Sequence, residues 1–165
     1  MDTAVIKDLP LFAGLDEAQL RSVVAVLRAR RVASGVTVFA EGERSSSLYI
    51  LTAGAVGTSK RMGLAAQGPD EPSRQKTLVH LSAPQFFGEM GLLSELARSA
   101  TITAEGDCEI LELTRADFER LVAGDALLGY RLLRNIAVVL AERLRRTDLD
   151  VLKLTTALSL ALGNR

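Results

Sequence analysis

Between Arg31 and Thr114 the apolar residues come in short runs, many of them β-branched or aromatic, separated by glycine-bearing turns. Val32, Val36, Val38 and Phe39 make the first runs, broken at Ser34-Gly35. Glu41-Gly42-Glu43 and the serines 45–47 form a turn before Leu48-Tyr49-Ile50-Leu51. Ala53-Gly54 then turns the chain into a strand from Ala55 to Lys60. Lys76 to Leu81 reads as another strand, and Thr101 to Glu105 and Cys108 to Thr114 flank a Gly106-Asp107 turn. Strands this short and this closely spaced predict a barrel, roll or sandwich. Gly63 to Gln75 holds two prolines and two glycines without an apolar period, and reads as a long solvated hairpin loop.

Helical patterns flank the strands. Asp16 and Gln19 have capping-box spacing, so a helix is expected from Glu17 to about Arg30, with Leu20, Val23, Val24 and Leu27 toward a core. Thr114, with Asp117 at N3, caps a second helix that ends near Gly124. A third runs from Asp125 to about Leu162. Its residues Leu133, Ala137, Leu140, Leu144, Thr147, Val151, Leu154 and Leu158 alternate spacings of three and four, which is a heptad seam. The first half of this helix is expected to pack on the strands. The part after Leu144 favours a parallel homodimer. For 165 residues the expectation is one α+β domain.

Composition narrows the function. Twenty basic and twenty acidic residues leave no net charge, so there is no electrostatic case for nucleic acid or an anionic membrane. One cysteine, Cys108, excludes an internal disulfide, and one histidine, His80, cannot build a histidine-rich metal centre. No apolar run reaches membrane-spanning length and Met1 to Pro10 lacks a signal-peptide core, so the expected location is the cytoplasm. No catalytic constellation or Walker-type loop is present, and the chain is not expected to be an enzyme.

Gln85 to Ala104 is where the chemistry concentrates. Gly88 lets backbone approach a ligand closely. Glu89, when ionised, only accepts hydrogen bonds and suits a sugar hydroxyl. Met90 to Ala97 is dense in helix formers and predicts a short helix whose N-terminal amides favour an anion. Arg98 offers a planar fork for phosphate oxygens, Ser99 a hydroxyl and an amide, and Ala100 a small wall.

Phe87-Gly88-Glu89-Met90-Gly91-Leu92-Leu93, followed by Arg98-Ser99-Ala100-Thr101, resembles the phosphate-binding cassette of cyclic nucleotide-binding domains. Leu11-Phe12-x-Gly14-Leu15 is similar to that family's N-terminal entry. Phe39-x-Glu41-Gly42-Glu43 and Leu48-Tyr49-Ile50-Leu51-x-x-Gly54 are similar to its first half. The resemblance implies an antiparallel β-roll, double-stranded β-helix or jelly-roll-like, over about residues 31–114. Helices over about 115–162 complete a single domain spanning residues 1–165. It also implies the ligand, cAMP with cGMP as second candidate, and no cofactor. Glu89 would take the ribose hydroxyl and Arg98 the cyclic phosphate. Gly88, Ser99 and Ala100 would supply amides or a hydroxyl, and Phe87 and Met90 complete the cassette's binding set. Catabolite activators carry an arginine by the adenine on the long helix, then threonine and serine. Arg143 and Thr147 match that spacing, while Asp148 stands where they have serine.

The expectation is therefore a regulatory protein that changes shape on binding a cyclic nucleotide and acts through its dimerising C-terminal helix, with a downstream protein as a candidate partner. No helix-turn-helix pattern follows that helix, so direct nucleic acid binding is not expected. The alternatives are a nucleotide-independent dimerisation or partner-binding module, and cAMP-linked transcription regulation through a partner. A cupin-like metalloenzyme would need a histidine cluster.

Overall fold

The computed structural model describes residues 4–61, 75–94 and 96–163, so the expected loop at 63–75 lies almost wholly outside the described residues. Among the described residues, eight strands form two four-stranded antiparallel sheets. They are β1 (Arg28–Val32), β2 (Thr37–Phe39), β3 (Ser47–Ala53), β4 (Ala55–Arg61), β5 (Gln75–Ser82), β6 (Gln85–Phe87), β7 (Thr101–Ala104) and β8 (Cys108–Thr114). One sheet has the order β1-β8-β3-β6 and the other β2-β7-β4-β5, a β-roll. The helices are α1 (Ala4–Lys7), α2 (Glu17–Val26), α3 (Glu89–Leu93), α4 (Arg115–Gly124) and α5 (Ala126–Gly163), with a 3-10 turn at Pro10–Phe12.

Strands β3 and β8 of the first sheet carry buried residues on both faces, and the two-residue strand period sorts their side chains. Tyr49, Leu51, Cys108 and Ile110 point into the roll, against Phe39, Val56, Ile102 and Ala104 of the other sheet. Leu48, Ile50, Leu111 and Leu113 point outward and pack under Leu20 and Val23 of α2, Phe118 of α4, and Leu128, Leu132 and Ile136 of α5. This explains why β3 is an unbroken apolar run rather than an alternating one. It also places β6, and with it the cassette, beside the helices: Phe86 joins the helix-side core and Phe87 the roll interior.

Three boundaries differ from the sequence reading. Helix α2 stops at Val26, because Leu27 turns extended and Arg28–Val32 is taken up by the ladder with β8. Its capping box, Asp16 with Gln19, is present as expected. Gln85–Phe87, read as the start of the cassette stretch and not as a strand, pairs with β3. The cassette helix spans Glu89–Leu93 and does not reach Ala97, because Ser94 is extended and closes it.

Helix α5 has two different halves. Leu128, Leu132, Asn135 and Ile136 are buried on the domain, whereas Leu133, Ala137 and Leu144 of the heptad seam are exposed. From Leu144 to Gly163 every residue is exposed. Two buried amides tie the helical layer together. Asn135 Nδ2 donates to Leu11 O and Ala13 O, both at 2.9 Å. Gln19 Nε2 donates to Asp125 Oδ2 at 2.8 Å, at the junction of α4 and α5.

Candidate functional site

The cassette folds as it does because two glycines make room for an arginine. Gly88 caps α3 in the left-handed region (φ 77°), where a side chain would be strained. A Cβ at Gly91 would lie 2.5 Å from Arg98 Nη1. Into that space Arg98 folds back, only 5% exposed. Its backbone bridges the β2–β3 turn, N to Glu43 O and O from Gly42 N, both at 2.9 Å. Nη1 donates to Gly88 O at 2.9 Å, and Nη2 to Ser45 Oγ at 2.7 Å and Ser47 O at 2.8 Å. The guanidinium lies 4.0 Å from the centroid of Phe39, in an aromatic group with Tyr49 and Phe87. Burial lowers the Arg98 pKa from its ordinary value. The fields of Tyr49, Glu43 and Glu112 oppose the shift.

Glu89 is equally buried, at 5% exposure. Its Oε1 accepts from Arg143 Nη1 of α5 at 2.9 Å. Arg143 Nη2 donates to Phe86 O at 2.6 Å, so one guanidinium ties α5 to both β6 and α3. Two atoms remain. Glu89 Oε2 and Arg98 Nε are buried with no hydrogen-bond partner among the described residues. One can only accept and the other can only donate.

A cavity of about 140 Å³ lies between these groups. Phe87, Gly88, Glu89, Met90, Arg98, Ser99, Ala100 and Arg143 line it, which are eight of the nine residues expected from the sequence. Thr147 does not. It is exposed, and its hydroxyl bonds back to Arg143 O at 3.1 Å on the same helix. Within one chain, therefore, α5 brings Arg143 to the cavity and leaves Thr147 outside. Ser99 is exposed, with Oγ 3.8 Å from Met90 Sδ.

Sequence reasoning missed Phe39, Thr58, Leu81 and Ile102, which also line the cavity. They lie on β2, β4, β5 and β7, and only the sheet order brings them together. Ser45 and Ser47, which hold Arg98, read as nothing more than turn residues.

A sequence model of the family "Cyclic nucleotide-binding domain" matches residues 29–125, from β1 through α4. The chain belongs to the cyclic nucleotide-binding domain family. The cyclic AMP receptor protein of Thermus thermophilus is 33% identical over 146 residues, covering 88% of this chain and 62% of the relative. A cyclic nucleotide-gated potassium channel of Rhizobium etli is 30% identical over 146 residues, covering 88% of this chain and 34% of the channel. The crystal structure of the Thermus thermophilus catabolite activator protein superposes with a TM-score of 0.73 at 30% identity, covering 88% of this chain and 63% of that one. The chain thus spans less than two thirds of these relatives' own length. The domain is a cyclic nucleotide-binding regulatory β-roll, and the match to the family model ends where α5 begins. Among the described residues no helix is long and apolar enough to cross a membrane.

Proposed function

We propose that this domain binds a cyclic nucleotide, cAMP in preference to cGMP, and reports it by moving α5, which pairs with α5 of a second copy. The observation that carries the reading is a pair of unpartnered buried atoms, Glu89 Oε2 and Arg98 Nε, on two residues that line one cavity. Leaving such groups unpaired costs stability, so their retention argues for a ligand that pairs both. A ribose hydroxyl donates to the carboxylate and a phosphate oxygen accepts from the guanidinium. Gly88, Ser99 and Ala100 line the same cavity, with Phe87 and Met90.

The cavity is smaller than the roughly 300–1,000 Å³ usual for small-molecule sites. Something must give way on binding, and Arg143 is suited to it. It is partly exposed, it holds the carboxylate the ribose would take, and it belongs to the helix that carries the output. Ligand entry would therefore redistribute the Arg143–Glu89 pair and shift α5. The shift is bounded by the ligand's differential affinity for the two arrangements.

The exposed seam at Leu133, Leu144, Val151, Leu154 and Leu158 supports pairing of α5 with a second copy. In that dimer Thr147, outside the cavity of its own chain, would reach toward the partner's base. The cAMP preference rests on the likeness of Arg143 and Thr147 to the catabolite activators. Asp148 in place of serine is the departure from that pattern. Calorimetric titration with cAMP and cGMP tests the reading. Saturable binding with cAMP tighter supports it, tighter cGMP reverses the base preference, and no binding of either sinks the ligand. In that last case the same seam favours a nucleotide-independent dimerisation module. Linkage to transcription through a partner protein would be an output of the switch.

A further inference from the structure

We propose that Ser45 is a positioning residue for phosphate recognition: its hydroxyl holds Arg98 from behind and leaves the remaining guanidinium donors for the ligand. This rests on the cyclic nucleotide reading of the cavity. A guanidinium has five N–H donors. Three are spent on Gly88 O, Ser45 Oγ and Ser47 O. Nε–H and one hydrogen of Nη1 are left over, and Nε is the buried atom without a partner. Two of the three acceptors are main-chain carbonyls that any residue would supply. The third acceptor is the side-chain hydroxyl of Ser45, 2.7 Å from Nη2, so it is a place where a substitution can alter the seat.

The geometry puts Ser45 on the far side of the arginine. It lines a separate surface cleft with Arg44, Ser46, Ser94 and Arg115, and it is absent from the cassette cavity, which Arg98 does line. The seat has little slack. A Cβ at Gly91 would meet Arg98 Nη1 at 2.5 Å and Ser45 O at 2.7 Å. The guanidinium therefore fills the gap between the Ser45 turn and α3. Without the hydroxyl, one Nη2 hydrogen is left unpaired in a buried place. The group then turns to recover an acceptor, and Glu43 and Glu112 are near enough to act on its charge. Each such turn takes Nε away from the direction the phosphate needs.

The test uses the whole chain with Ser45→Ala, Ser45→Thr and Arg98→Lys. Ser45→Ala is expected to weaken cAMP binding by about tenfold, the scale of one hydrogen bond to a charged group. Ser45→Thr, which keeps the hydroxyl, is expected to restore most of it. In the Arg98→Lys background, where the fork is gone, Ser45→Ala should cost less than about twofold, since coupled residues are not additive. A second readout needs no ligand. The Arg98 Nε–H signal in proton–nitrogen spectra should be sharp in the parent and in Ser45→Thr, and broadened in Ser45→Ala. Parent-like affinity with a sharp Arg98 signal in Ser45→Ala overturns the proposal. So does an equal affinity loss with and without Arg98. If the parent binds no cyclic nucleotide, the ligand reading fails, and the Arg98 signal still decides the role of Ser45.

Discussion

Arg143 of the long helix donates to Glu89 of the cassette at 2.9 Å, across 54 positions of the chain. The pair is mostly buried at the carboxylate and about one third exposed at the guanidinium. It makes the acid in the cavity wall a contact of α5.

Removing that contact should be felt in stability first. Arg143→Gln leaves Glu89 buried with a weaker partner, and partial exposure of the arginine tempers the loss. We expect a destabilisation of about 1–2 kcal/mol in urea unfolding. Backbone amides near Leu140 should also exchange faster. Unchanged stability and exchange would show that the pair does not hold α5.

Arg98 should cost more than Glu89 on both counts. Arg98→Ala removes the donors to two buried carbonyls and to Ser45, as well as the phosphate partner. Binding should fall by ~2–5 kcal/mol. Glu89→Gln should fall less, because its amide oxygen still accepts from a hydroxyl. The folding cost of Arg98→Ala, invisible in the sequence, makes Arg98→Lys the cleaner probe. Titration of each variant alongside its unfolding curve separates the two effects.

Ligand binding should be visible at both ends of the switch. Saturating cAMP is expected to slow hydrogen exchange over residues 88–101 and 140–151 together. Leu144→Asp, on the exposed seam, should lower dimer stability in sedimentation experiments. Affinity should fall with it where the partner helix completes the pocket. Slowing in the cassette alone, in a monomer, would refute the coupling.

Acid should loosen the root of α4. Asp117 is buried, and the hydrogen bond from Thr114 lowers its pKa, with Arg120 and Arg28 adding to the effect. A carboxyl whose folded pKa lies below its unfolded value stabilises above the unfolded pKa. That stabilisation is lost as pH falls through the folded one. Asp117→Asn should therefore cost on the order of 1 kcal/mol at neutral pH, with the gap to the parent closing below about pH 4. A constant gap from pH 7 to pH 3 would assign the loss to packing.

Much of this was legible in the residues because local chemistry and tertiary role agree. Asp16-Gln19 and Thr114-Asp117 signal their caps wherever they occur, and both caps formed. The cassette string fixes Gly88, Glu89 and Arg98 in one loop. What stayed hidden depends on pairing across the chain. Arg28 to Arg31 has a helix former's composition, and only the ladder with β8 makes it a strand. The partner of Glu89 lies on α5, and the partners of Arg98 lie on the β2–β3 turn. One signal was available: Asn135 interrupts the buried face of α5 at Leu128, Leu132 and Ile136, and a polar residue there needs acceptors.

The 38 residues of α5 make it about 57 Å long, and only its first half rests on the domain. It is a lever with a short supported arm and a long free one. A tilt of about 10° at its root, the scale of one repacked contact near Gly124, would carry the far end about 10 Å. Under the proposed switch, a small adjustment around Glu89 would become a displacement large enough for another protein surface to detect.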